Sequence, residues 1–120
     1  MGDNADNDNI SMKSRLRAEN EFDVLELSGE IDLHYSPELR EQILKSLKGG
    51  RPLLIDMSDV SYIDSSGIAS LVEGFQTAKS AKLAYGLLSI SSPALQVLSL
   101  TRLDKVFSLF DSIDQFQSQL

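Results

Sequence analysis

Residues 55–72 read Ile-Asp-Met-Ser-Asp-Val-Ser-Tyr-Ile-Asp-Ser-Ser-Gly-Ile-Ala-Ser-Leu-Val, and their order of apolar and polar positions decides the fold. The run Leu53, Leu54, Ile55 that leads into them reads as a short strand. A polar turn follows and ends in Asp64-Ser65-Ser66-Gly67, after which Ile68, Leu71, Val72 and Phe75 recur at the spacing of one buried helical face. The turn thus sets a serine hydroxyl at a helix N-terminus, on the end of a sheet, where a partner can reach it. A phosphate placed there is expected to face unpaired backbone N–H groups and the positive end of the helix dipole. The same residues also suit plain capping. Serine is a favoured N-cap, Gly67 gives the turn freedom, and Asp64 fits the entry to a helix.

Toward the N-terminus, Pro52–Met57 is nearly all apolar, as expected of a strand covered on both faces. Before it, Ser36 is read as an N-cap, Pro37 as the first helical position and Leu39, Ile43 and Leu47 as a buried stripe, with Gly49-Gly50 as the stop. Phe22–Leu27 forms a strand, paired as a hairpin through Asn20-Glu21 with an edge strand that begins at Met12. In that edge strand Met12, Ser14, Leu16 and Ala18 share one face, and Lys13, Arg15 and Arg17 the solvated other. Residues 1–11 are acidic and asparagine-rich, the composition of a disordered tail, and residues 12–120 form one domain.

Toward the C-terminus, a helix from Ser65 or Ser66 to about Ser80 is followed by a strand at Lys82–Leu88. Ser92-Pro93 opens a further helix, Lys105–Phe110 is a last strand, and Ile113, Phe116 and Leu120 line a final helix. The order ββαβαβαβα predicts an α/β fold with about four helices and a mixed, mainly parallel sheet of about five strands. Sites in open α/β sheets lie at the carboxyl ends of the strands. The loops expected there carry Asp32 with His34, then Ser58–Ser66, then Ser89–Ser92, so Asp32 and Ser65 are predicted to be neighbours.

Composition narrows the function. The 120 residues carry a net charge of −7, which disfavours nucleic-acid backbones and favours a protein or small ligand as partner. No window is apolar enough for a membrane span or a secretory signal. Cysteine is absent, which fits the cytoplasm, and a single histidine, His34, offers no nitrogen–sulfur metal site. No phosphate-binding glycine loop and no evident acid–base pair point to an enzyme, a metal or a cofactor.

With Gly29-Glu30-Ile31-Asp32 after the second strand, Asp64-Ser65-Ser66-Gly67 at the second helix, and Leu103-Asp104-Lys105-Val106-Phe107 before the last, the chain resembles the STAS proteins of the anti-sigma factor antagonist type. The resemblance spans about Met12 to Leu120. It implies a switch that binds an anti-sigma factor, itself a serine kinase of the histidine-kinase-like ATPase type, when unphosphorylated. Phosphorylation on Ser65 releases it, and a PP2C-type phosphatase resets it. The residues themselves do not separate Ser65 from Ser66; the resemblance selects Ser65. It also assigns Asp32, with Asp64, Ser65, Ser66 and Gly67, to the partner-binding face. Two alternatives remain at this point: a STAS subunit of a lipid-transport or stress-sensing complex that is never phosphorylated, and a small α/β enzyme or nucleotide binder. His34 reads as an ordinary polar or capping residue, and Tyr35 and Tyr62 as packing beside the loops.

Overall fold

A computed structural model describes residues 14–120. The tail expected at 1–11, and Met12 and Lys13 as the start of the first strand, lie outside the described residues. The elements are β1 (Ser14–Ala18), β2 (Asp23–Ile31), α1 (Ser36–Lys48), β3 (Leu53–Ile63), α2 (Ser65–Ala81), β4 (Tyr85–Leu88), α3 (Ser92–Leu100), a 3-10 turn (Leu103–Lys105), β5 (Leu109–Phe110) and α4 (Ile113–Gln117). One five-stranded sheet holds the strands in chain order; β1 runs antiparallel to β2, and every later pair is parallel. This is the mixed, mainly parallel sheet that the pattern predicts.

Stepping one strand at a time with right-handed crossovers puts the connecting helices on one face. There Leu25, Ile55, Met57 and Leu87 of the sheet pack with Leu39 and Ile43 of α1, Leu71 of α2 and Leu98 of α3. The other face holds a smaller cluster, in which Val24, Leu54, Leu88 and Phe110 lie with Phe22 and Phe116. The Phe116 ring, from α4, meets Phe22 and Phe110 edge-on at 5.2 and 5.3 Å. Leu53, Leu54 and Ile55 therefore feed both layers in turn, which is why that run contains no polar position.

Several boundaries differ from the expectation. β3 does not stop at Met57, nor β2 at Leu27; both continue, to Ile63 and Ile31. Gly29-Glu30-Ile31 and Ser58–Ile63 are strand rather than loop. Two register shifts, between Glu26 and Ser28 and between Gly29 and Glu30, each insert an extra residue into β3. Met57, Val60 and Ile63 are thus all buried at a spacing of three, a rhythm that hides a strand from period-two reading. Ser36 and Ser92 open their helices from the first helical position, and Tyr35 and Ser91 hold the cap positions. Strand β4 begins only at Tyr85, because Lys82 caps α2 in the left-handed conformation and the Leu83 N–H still bonds to the Ala78 carbonyl. Lys105 ends a 3-10 turn, leaving β5 with two residues. Ala18, assigned to the inner face of β1, is exposed, while Leu16 packs on the core.

The β1–β2 corner is held by one side chain. Arg51 donates to the carbonyls of Glu19 at 2.7 Å and Phe22 at 2.9 Å, and to Asp23 Oδ1 at 3.2 Å. The other carboxylate oxygen of the buried Asp23 accepts from Ser46 Oγ at 2.7 Å. Removing the guanidinium leaves a buried carboxylate half satisfied, at a cost of about 1.5–3 kcal/mol for bonds to charged groups. Arg51→Ala should lower the urea midpoint accordingly and speed amide exchange in β1. An unchanged midpoint would show that water replaces the guanidinium without loss. No helix among the described residues is long and apolar enough to cross a membrane.

Candidate functional site

The register of β2 on β3 sets Ile31 opposite Ile63, so Asp32 and Asp64 leave adjacent strand ends together. The Asp64 N–H donates to the Ile31 carbonyl at 3.1 Å and fixes that junction. A third loop is tied in by Ser91, whose N–H donates to the Met57 carbonyl at 3.2 Å and whose hydroxyl donates to the Val60 carbonyl at 2.6 Å. Asp32 and the Asp64–Gly67 turn are therefore neighbours at the carboxyl end of the sheet, as the topology predicts.

The cap of α2 is Asp64, not a serine. Its Oδ1 accepts from the Ser66 N–H at 2.9 Å, the Gly67 N–H at 3.1 Å and the Ser66 hydroxyl at 2.6 Å. The Ile68 N–H donates to the Asp64 carbonyl at 3.0 Å. Of the donors at this helix start, the Ser66 and Gly67 N–H groups are thus already taken by Asp64, which narrows the expectation that a phosphate would meet them unpaired. The Ser66 hydroxyl first, then the backbone N–H groups of Gly67, Ser66 and Leu33, hold the Asp64 carboxyl below its ordinary value of 3.8. A lowered carboxyl stabilises the fold above its ordinary titration range. That contribution disappears as the pH falls through the depressed value.

The two serines are not equivalent. Ser66 is half-buried with its hydroxyl on Asp64; Ser65 is exposed, and its hydroxyl makes no hydrogen bond among the described residues. Gly67 lies inside the helix with a negative φ, so its role is not turn freedom. A Cβ there would stand 2.8 Å from Ile63 Cγ1 and 2.9 Å from Ile31 Cγ2. The missing side chain lets α2 sit directly on the two strand ends that carry Asp32 and Asp64.

Asp32 shapes the turn into α1. Its Oδ1 accepts from the N–H groups of His34 at 3.1 Å and Tyr35 at 3.3 Å, and its carbonyl accepts from the Ser36 N–H at 2.8 Å. Tyr35 is buried, as expected, and donates to Gln42 Oε1 at 3.1 Å; burial foremost pushes its hydroxyl up to about 12. The His34 side chain is exposed. Tyr62 is not packed away but 50% exposed, and Leu33, which sequence reading passed over, is 71% exposed. A lone leucine in a polar loop carries no periodic signal. These two apolar groups are displayed among carboxylates. The stretches 28–38, 56–70 and 88–99 contain Glu30, Asp32, Glu38, Asp56, Asp59 and Asp64 but no Lys or Arg. Lys45, Lys48, Lys79 and Lys82 lie at the far ends of α1 and α2. A surface so charged attracts a cationic partner face. Among the described residues no group of three or more His, Cys, Asp or Glu side chains is placed to hold a metal ion.

A family model described as STAS domain matches residues 14–116. The anti-sigma-B factor antagonist of Bacillus subtilis (strain 168) is 30% identical over 92 residues, which are 76% of this chain and 84% of that protein. An anti-sigma factor antagonist from Mycobacterium paratuberculosis has a similar structure, with a TM-score of 0.75 at 26% identity, over 88% of this chain and 91% of that one. The anti-sigma factor antagonist SpoIIAA gives a TM-score of 0.76 in its unphosphorylated form, at 17% identity over 88% and 94% of the two chains. Its phosphorylated form gives 0.70, at 19% identity over 88% and 97%. At those identities the SpoIIAA likeness is one of fold.

Proposed function

The chain belongs to the STAS domain family, and we propose that it works as an anti-sigma factor antagonist switched by phosphorylation on Ser65. In this reading residues 12–120 are the working domain, and it acts in the cytoplasm as a binding protein and not as a catalyst. The unphosphorylated form binds an anti-sigma factor that is also a serine kinase of the histidine-kinase-like ATPase type. Phosphorylation releases it, and a PP2C-type phosphatase restores it. Asp32, Asp64, Ser65, Ser66 and Gly67 belong to the contacted face. The observation that carries this reading is the free, exposed Ser65 hydroxyl beside the engaged Ser66 hydroxyl, at the end of the sheet that also presents Asp32.

A serine hydroxyl needs a bound, metal-neutralised phosphoryl donor to react, and the partner supplies it. The product brings about −1.5 to −2 charges to the turn. Because Asp64 already occupies the Ser66 and Gly67 donors, the new charge meets a neighbouring carboxylate there. It therefore acts by repulsion and bulk at the partner interface, while the core beneath is untouched. Intact-mass and site-mapped mass spectrometry after incubation with the kinase and ATP tests the assignment; phosphate on a residue other than Ser65, or none, would overturn it. The far-UV circular dichroism of the two forms should coincide. The phosphorylated form should melt no more than about 5 °C lower, the effect of ~1 kcal/mol on a domain of this size. A larger fall would point to a switch by local unfolding.

A further inference from the structure

We infer that Ser66 is a positioning residue for the modification of Ser65: its hydroxyl holds the Asp64 carboxylate on the helix cap and leaves Ser65 as the one free hydroxyl of the turn. The inference rests on the phosphorylation reading above and adds to it a role for a residue that is not itself modified. Asp64 Oδ1 is gripped by both donors of a single residue, the Ser66 N–H at 2.9 Å and the Ser66 Oγ at 2.6 Å, with the Gly67 N–H as a third at 3.1 Å. Two backbone donors already satisfy a cap. The hydroxyl is a further hold, and what it fixes is the direction of the carboxylate.

That direction matters because Ser65 lies between the two groups. A carboxylate released from Ser66 has the adjacent Ser65 hydroxyl within its reach as a new donor, since aspartates bond readily to groups one or two residues on. An acceptor hydroxyl tied to Asp64 is no longer free to meet the phosphoryl donor. The backbone on either side of Ser65 is fixed as well, by the Asp64 N–H on Ile31 and by the Ile68 N–H on the Asp64 carbonyl. Only the side-chain geometry of the turn is left for Ser66 to set. The same bond protects Ser66 from modification. Its Oγ is half-buried, and a phosphate on it would lie against the carboxylate it now serves.

Ser66→Ala and Ser66→Thr separate this role from a structural one, because threonine keeps the hydroxyl and alanine keeps only the backbone cap. With the kinase that modifies wild type, and ATP, Ser66→Ala should lose about fivefold in kcat, the weight of one hydrogen bond. Its KM should be unchanged, and Ser66→Thr should recover most of the rate. In the isolated proteins, the Asp64 carboxyl, followed by NMR titration, should move up toward its ordinary range in Ser66→Ala and stay low in Ser66→Thr. A wild-type kcat in Ser66→Ala, or a threonine variant no better than alanine, overturns the role in phosphorylation. An Asp64 titration unmoved by Ser66→Ala overturns the positioning itself. A wild-type chain that takes no phosphate removes the reading under Proposed function instead, and the titration then decides whether Ser66 positions Asp64.

Discussion

Ser65→Ala should take almost no phosphate from the kinase and ATP under conditions in which wild type takes one. It should still bind the kinase with wild-type affinity, because the hydroxyl it loses makes no bond among the described residues and contributes nothing to the cap. It should therefore act as a permanently active antagonist. The phosphoprotein should bind about a hundredfold more weakly, a difference of about 2.7 kcal/mol that one misplaced dianion in a packed contact can supply. Ser65→Asp should fall between the two, since a carboxylate carries about half the charge of a phosphate. Asp32→Ala should also weaken binding. Its carboxylate closes the turn into α1, so the variant loses about 1 kcal/mol of stability as well and must be compared below its own melting range. Titration calorimetry of the kinase against these variants and wild type decides. Equal affinities throughout would remove this face from the mechanism and favour a constitutively assembled subunit.

The topology was legible from the sequence because β3 and α2 carry uninterrupted patterns, an apolar triplet at Leu53–Ile55 and a helical stripe from Ile68 to Phe75. The meeting of Asp32 and Asp64 followed from topology alone, since parallel neighbours end at the same side of a sheet. What escaped was the half of β3 beyond Met57. Its two bulges replace alternation by a spacing of three, and the polar residues between Val60 and Ile63 then read as loop. The N-caps read at Ser36 and Ser92 were displaced by one residue, to Tyr35, which makes no side-chain cap bond, and to Ser91, whose hydroxyl accepts from the Ala94 N–H. The distinction between Ser65 and Ser66 lies wholly in side-chain geometry. Adjacent identical residues carry no pattern, and it is the bond from Ser66 to Asp64, with the lower exposure of Ser66, that tells them apart.

Gly67→Ala should destabilise the domain although it replaces glycine by the best helix former. In an open helix the change would favour folding by about 1 kcal/mol. Here the new Cβ would lie 2.8 Å from Ile63 Cγ1, 3.1 Å from Ile63 Cδ1 and 2.9 Å from Ile31 Cγ2. Both isoleucines are buried, with stiff β-branched side chains, so neither can swing aside cheaply. Overpacking of this kind costs typically 1–3 kcal/mol, which exceeds the propensity gain. The net loss should be about 1 kcal/mol and at most about 2, read as a fall of roughly 4–10 °C in melting temperature. The obstruction also lies directly under the site. Ile31 and Ile63 precede Asp32 and Asp64, so relief by lifting α2 moves Ser65 away from Asp32 and should slow phosphorylation even at temperatures where the variant is fully folded. Gly49→Ala is the control, since its Cβ would meet nothing closer than 3.4 Å and its φ is −76°. That variant should melt within about 2 °C of wild type, as ordinary surface substitutions do. If Gly67→Ala melts with wild type and is phosphorylated at the same rate, the helix start yields freely, and close packing of α2 on the strand ends is not what places Ser65 beside Asp32.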